Sequence, residues 1–327
     1  MGMQEKIVDR AKALLADGTV VGVWGWKKGE MPGDRVPAYF TTPEELDADF
    51  VYDCFCSPNV SRYLNGRKAS DGKAMALLKP CDSYSLNQML GEHRLERESV
   101  YAFGIPTGDM VDPVKMRALG IRGLKEAKQR GKEFVFNTAS GEKVVPRDDV
   151  ALEKCLTCKS NTHKIYDELL VEVKDTGGSP VRFSEVEKLE AMSPDERFKF
   201  WQGELSKCIR CNACRNICPV CSCVKCVFDN PASSVASKAV AESFEDKMFH
   251  IVRAFHVAGR CTDCGECSRA CPQGIPLHLL NRKFILDINR VYGPFQAGEA
   301  ADGVSPLTEY NEDDAEPSEV FGFGGGC

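Results

Sequence analysis

The run "CIRCNACRNICPVCSCVKC", Cys208 to Cys226, places seven cysteines in nineteen residues. A second run, "CTDCGECSRAC", spans Cys261 to Cys271. Cys208, Cys211, Cys214 and Cys218 have the spacing C-x-x-C-x-x-C-x-x-x-C, and Pro219 follows. Cys261, Cys264, Cys267 and Cys271 repeat that spacing, and Pro272 follows. Three closely spaced thiolates reach three corners of one [4Fe–4S] cube, while the fourth points away and ligates the other cube. The spacing therefore predicts cluster one on Cys208, Cys211, Cys214 and Cys271. It predicts cluster two on Cys261, Cys264, Cys267 and Cys218. A zinc site would show paired motifs of two cysteines each, not a four-cysteine run ending in Pro.

Cys221, Cys223 and Cys226 are surplus to those eight. They are either buried thiols packing as small hydrophobes or part of a further metal site. A separate group, Cys54, Cys56, Cys81, Cys155 and Cys158, lies in the first half of the chain. One reading is a third [4Fe–4S] cluster on Cys155, Cys158, Cys81 and one of Cys54 or Cys56. The others are core thiols, or a zinc site that also uses His163. Asp53 and Asp82 flank these cysteines and read as solvated loop acids. No G-x-G-x-x-G or Walker loop occurs, so a nucleotide fingerprint is missing. No Ser-His-Asp set or carboxylate pair reads as catalytic.

The whole chain must supply the scaffold for these thiols. Its 327 residues suffice for two domains, and its 43% hydrophobic and 28% charged residues are ordinary for a globular protein. A net charge of −6 argues against nucleic acid as a main partner. No apolar run is long enough to span a membrane. The start, "MGMQEK", lacks the basic and apolar regions of a secretory signal and has Lys6 where myristoylation needs Ser or Thr. A cytoplasmic location is expected, and disulfides are therefore not.

The expected fold is α+β: an N-terminal α/β domain (1–175), a helical dicluster ferredoxin domain (181–290) and an acidic tail (291–327). Apolar spacing predicts a helix over 4–16, and β-branched and aromatic content a strand over 19–26. Thr42, Pro43 and Glu45 form a capping box that starts a helix. "KAMALLK" (73–79) reads as a buried strand, Asp82 as the cap of the next helix, and "SVYAFGI" (99–105) as a second strand, giving a βαβ unit. "EFVFNTASGEKVV" (133–145) reads as a hairpin turning at Ser140 and Gly141. "KDTGGSP" (174–180) is a linker. Ser193 and Glu196 cap a helix over 193–205. A further helix over about 234–258 takes Val235, Ala239, Phe244, Met248, Ile251, Val252 and Phe255 as its apolar positions, and Gly259 stops it. The tail carries eight acids and no Lys or Arg, and reads as an extended arm. Its Val320, Phe321 and Phe323 are candidate anchors for a partner, with Cys327 a bystander.

"LLKPCDSYSLNQML" (77–90), "RESVYAFGIPTGDMVDP" (97–113) and "RDDVALEKCLTC" (147–158) resemble the beta subunit of coenzyme F-420 (deazaflavin) reducing hydrogenase and formate dehydrogenase. With both cluster motifs added, the chain resembles the fused form found beside heterodisulfide-reductase-type subunits in anaerobes. The resemblance covers about residues 50–290. It implies FAD, iron–sulfur clusters, and electron passage between a soluble carrier and a partner subunit. Cys81, Cys155 and Cys158 match family cysteine positions. The family often has Cys after "GIP", where Thr107 stands here, so Cys54 or Cys56 would have to replace that ligand.

Two functions are carried forward. One is an electron-transfer subunit of an anaerobic oxidoreductase complex. The other is a flavoenzyme that reduces a small carrier (deazaflavin, ferredoxin or nicotinamide) at the N-terminal domain. A zinc-binding interaction protein is the non-redox alternative.

Overall fold

In the computed structural model, residues 2–230, 232, 243–309, 311–316, 320 and 322 are described. The chain divides into two compact units: residues 1–86 with 93–180, and residues 87–92 with 181–327.

The first unit opens with helix α1 (Met3–Ala16), which buries Ile7, Ala11 and Leu14 along one face, as the apolar spacing predicts. Strand β1 (Gly22–Lys28) starts later than the expected 19–26. Its ladder begins where Gly22 meets Ala74, and the exposed Val21 lies outside that pairing. β2 (Arg35–Phe40) pairs antiparallel with β1. Helix α2 (Pro43–Asp49) has the expected capping box on Thr42 and Glu45. β3 (Ala74–Leu78), helix α3 (Pro80–Gly91) and β4 (Val100–Gly104) form the βαβ unit, with β3 and β4 parallel. All five β3 residues are buried, as a strand covered on both faces should be. α4 (Pro113–Ala118) follows, capped by Asp112.

β5 (Leu124–Arg130), β6 (Glu133–Thr138) and β7 (Gly141–Pro146) make a separate antiparallel sheet. Its second hairpin turns where Thr138 pairs with Gly141, as expected. The charged "LKEAKQR" of β5 gives little strand signal. It is a strand because its backbone pairs with the Phe-rich β6. Short helices α5 (Arg147–Val150) and α6 (Glu153–Leu156) lead to β8 (Glu168–Leu169). The main sheet runs β2-β1-β3-β4-β8, with every pair except β1/β2 parallel.

The second unit is helical: α7 (Ser184–Glu190), α8 (Pro194–Leu205), α9 (Ala213–Asn216), α10 (Ser243–His256), α11 (Glu266–Arg269) and α12 (Leu277–Tyr292). α8 has the expected capping box on Ser193 and Glu196. Leu279 and Leu286 of α12 pack with Val186 and Leu189 of α7, each such aliphatic side chain contributing about 1.5–3 kcal/mol when fully buried.

α10 corrects the sequence reading in one respect. Ile251 and Phe255, taken as core positions, are 40% and 61% exposed, while Phe249, His250 and Arg253 are buried. The inward face is therefore partly cationic and polar, which apolar periodicity cannot detect. Val235 and Ala239 lie outside the described residues, as do Phe321, Phe323 and Cys327 of the tail. Among the described residues, no helix is long and apolar enough to cross a membrane.

Candidate metal centres

The two cysteine rows of the second unit share one backbone plan. Arg210 and Asp263, each two residues after the first cysteine, have φ of 53° and 52°. Asn212 and Gly265, each four residues after it, have φ of 61° and 67°. A four-residue helix then carries the third cysteine: Cys214 in α9 and Cys267 in α11. Non-glycine residues rarely adopt left-handed backbone, so its recurrence at Arg210, Asn212 and Asp263 marks one turn built twice. The turn also aims an amide at sulfur: the Arg210 N–H donates to Cys208 Sγ at 3.3 Å. Asn281 Nδ2 lies 3.8 Å from Cys267 Sγ.

Cys218 lines a small cavity together with Cys261, Cys264 and Cys267, closed by Asp263, His278 and Asn281. Cys208 and Cys271 pack on the apolar cluster that holds Cys214 and Cys267. Burial raises the Cys214 thiol pKa, and the neighbouring Cys208, Cys271 and Cys211 raise it further. Burial, Asp263, Cys264 and Cys218 push Cys261 well up. Cys267 is pushed up to about 12 by burial, with Cys264, Cys218 and Cys214 adding to the shift. Each set thus gathers thiols whose charges would repel one another in the absence of a bound cation. Metal binding requires such ligands to lose their protons.

The surroundings fit an inorganic group rich in acceptor sulfur. Both ring nitrogens of His250, Arg253 Nε and His278 Nε2 are buried without hydrogen-bond partners. Buried polar atoms normally have partners, and an ion is one thing that can supply them. The nitrogen donors suit sulfide and thiolate sulfur. Among the described residues, no three His, Cys, Asp or Glu side chains converge on a single-ion site. A cube spreads its ligands over four corners and does not require that convergence.

The second row is clamped from outside. Asp263 accepts from Arg282 Nε at 3.0 Å and from Arg182 Nε at 2.9 Å. Arg282, 1% exposed, ties α12 to the row. Ser268 Oγ and His278 Nδ1 lie 2.8 Å apart and join the same two elements.

The surplus cysteines are dispersed. Cys221 packs with Cys218 and Cys261, Cys226 with Cys208 and Cys271, and Cys223 is exposed. A hydrogen bond with Cys218, helped by Arg253 and Arg260, lowers the Cys221 thiol to about 7.

The first unit brings its cysteines from separate elements. Cys81 lies in the first turn of α3, at the end of β3. Cys155 sits in α6 and accepts from the Met110 N–H at 3.4 Å, with Cys158 just beyond. Burial pushes Cys155 up to about 11, and Cys158 contributes. Burial and Asp82 raise Cys81, with Cys158 adding to it. Cys56 is fully buried, and the charge of Lys79, a neighbour of Cys81, acts on it too. Cys54 instead packs on the cluster around Phe134 and Phe136, with its Sγ 3.6 Å from the Ala127 carbonyl.

Asp82 corrects two expectations. The helix begins at Pro80, so Asp82 is its third residue and not its cap. Nor is Asp82 solvated: it is 0% exposed and pairs with Lys79 Nζ at 2.7 Å. Lys79, 1% exposed, also donates to the Pro58 carbonyl at 2.9 Å and lies 4.3 Å from the Trp26 ring centroid. Reading Asp82 as an isolated loop acid missed this partner, although the lysine stands three residues before it. Asp53 likewise pairs with Arg35, at 2.5 Å. His163 lies 2.9 Å from the Leu78 carbonyl, and burial lowers its pKa.

A groove of about 870 Å³ also opens in the first unit, lined by Tyr52, Cys54, Pro106, Thr107, Gly108 and Ala127 among others. Its walls carry Lys28, Arg35, Lys125 and Lys128 against Glu30, Asp53, Asp109 and Glu126.

Residues 204–275, which contain all eight row cysteines, match the 4Fe-4S dicluster domain family. The F420-dependent formate dehydrogenase subunit beta of Methanocaldococcus jannaschii is 24% identical, over 86% of this chain and 88% of that protein. The chain is similar to such beta subunits over most of its length. The F420-dependent formate dehydrogenase 1 subunit beta of Methanococcus maripaludis is also 24% identical, over 76% and 78% of the two chains. A chain of the F420-reducing [NiFe] hydrogenase complex from Methanosarcina barkeri aligns with 62% of this chain and 88% of its own length, at 13% identity and a TM-score of 0.40. The resemblance and the iron–sulfur, electron-transfer and oxidoreductase character expected from the sequence agree with these relatives.

Proposed function

We propose that the chain is the iron–sulfur electron-transfer subunit of a cytoplasmic oxidoreductase complex. It relays electrons between a partner subunit and a soluble carrier. The partner is of the hydrogenase, formate dehydrogenase or heterodisulfide-reductase type. The observation that supports this reading is that Cys218 lines one cavity with Cys261, Cys264 and Cys267, while Cys271 packs on the cluster that holds Cys214. Cys208, Cys211, Cys214 and Cys271 would hold one [4Fe–4S] cluster, and Cys261, Cys264, Cys267 and Cys218 the other. Such clusters, when bound, accept and release single electrons. The protein's part is to bury them, aim amides at sulfur and keep the two sets side by side.

Cys81, Cys155 and Cys158 would hold a third cluster in the first unit. The packing of Cys54 on the cluster around Phe134 and Phe136 favours Cys56 as its fourth ligand. A second reading, carrier reduction at a bound FAD, is favoured by the groove of about 870 Å³, a volume within the range of cofactor pockets. Its mixed charges suit a polar cofactor without selecting an anion by net charge.

The test is anaerobic purification of the full chain with iron, sulfide, zinc and flavin analysis. At least about eight irons per chain are expected from two filled cubes. Zinc alone, or no metal, would overturn the electron-transfer reading. Stoichiometric flavin with reduction of a deazaflavin or nicotinamide would favour the second.

A further inference from the structure

Arg253, on α10, is 4% exposed. It donates from one Nη to the Cys214 carbonyl at 3.0 Å, and its Nε has no partner. Among the described residues no carboxylate pairs with it, whereas the equally buried Arg282 has Asp263. A buried cation without a counter-charge is costly. Its helix touches both rows: Phe249, one turn earlier, shares an apolar cluster with Cys214 and Cys267, and Val257, one turn later, packs with Cys218, Cys221 and Cys261.

We infer that Arg253 is the shared counter-charge of the two cluster sites and holds both potentials up. This rests on the cluster assignment proposed above. Four thiolates around a cube leave a net negative charge, and one-electron reduction adds one more. A fixed guanidinium beside both cubes stabilises each reduced form more than each oxidised form. The carbonyl it grips belongs to Cys214, so its position is tied to a ligand of the first row while its charge reaches the second.

The test uses the full chain, purified anaerobically, with R253M and R253K. Iron and sulfide are counted first, then both clusters are titrated with dithionite and viologen mediators under EPR. R253M with full iron should lose at least about tenfold in the reduced-to-oxidised ratio of both clusters at fixed ambient potential, which is about 59 mV for a one-electron couple. R253K, which keeps the charge, should stay close to the wild-type potentials. If R253M does not assemble, R253K with full iron and wild-type potentials still supports the counter-charge. R253M with full iron and unchanged potentials, or with a shift in one cluster only, overturns the inference. So does loss of iron in both variants, which would make Arg253 a packing residue, or shifted potentials in a fully loaded R253K. Failure of the wild-type chain to hold two clusters would sink the assignment itself and is read from the iron count alone.

Discussion

The second unit assembles its thiols from two short rows on one repeated backbone turn, whereas the first gathers cysteines separated by up to about a hundred residues. In the rows, three of each four thiols are placed by local geometry: left-handed residues at matching positions and a four-residue helix. In the first unit, Cys81 is placed by the end of β3 and Cys155 by α6, and Cys56 comes from a loop. A locally encoded site is legible as a spacing. A topologically encoded site depends on which strand ends the sheet brings together.

The two kinds of site should respond differently to substitution. The largest effect is expected for C271S. It should remove the cluster of Cys208, Cys211 and Cys214, about four irons, because its thiol packs beside that row. Mössbauer and EPR spectra showing the loss confined to the cluster of Cys261, Cys264 and Cys267 would contradict this assignment. In the first unit, C56S should lose the third cluster and C54S should keep it, as read by iron count on the full chain. The reverse outcome would make Cys54 the ligand.

The next effect concerns the buried ion pair beside Cys81. D82N leaves Lys79 charged and buried, and should destabilise the first unit by about 3–5 kcal/mol, measured by denaturant unfolding. Equal stability of D82N and wild type would mean that Lys79 finds another partner. Removing the α2 cap with T42A should cost about 1 kcal/mol, visible as faster amide exchange in α2.

The smallest effect is at the edge of the main sheet. Glu168 of β8 accepts from Arg10 of α1 and from Tyr101 of β4. The Arg10 hydrogen bond first, and Tyr101 second, hold its carboxyl below the ordinary value. Because the folded-state value is lowered, its contribution is present above the ordinary carboxylate range and is lost as pH falls through the folded value. The pair is partly exposed, so E168Q should cost no more than about 1 kcal/mol at pH 7. The difference from wild type should shrink as pH falls through the lowered folded-state value. A difference that persists in acid would assign the effect to packing.

The sequence by itself determined the row cysteines as a chemical set, the capping boxes at Thr42 and Ser193, the buried β3 and the hairpin at Gly141. Each of these rests on residues within a few positions of one another, where spacing and backbone preference act directly. Only the tertiary structure decided three further matters. It packed Cys54 on the cluster around Phe134 and Phe136 while burying Cys56 fully. It buried Asp82 against Lys79 where a solvated loop acid was expected. It turned α10 so that Arg253 faces the thiols while Phe255 meets solvent. A buried charge is stabilised by partners from other elements, and in α10 those partners are cysteines tens of residues away. An apolar pattern within one helix carries no record of them.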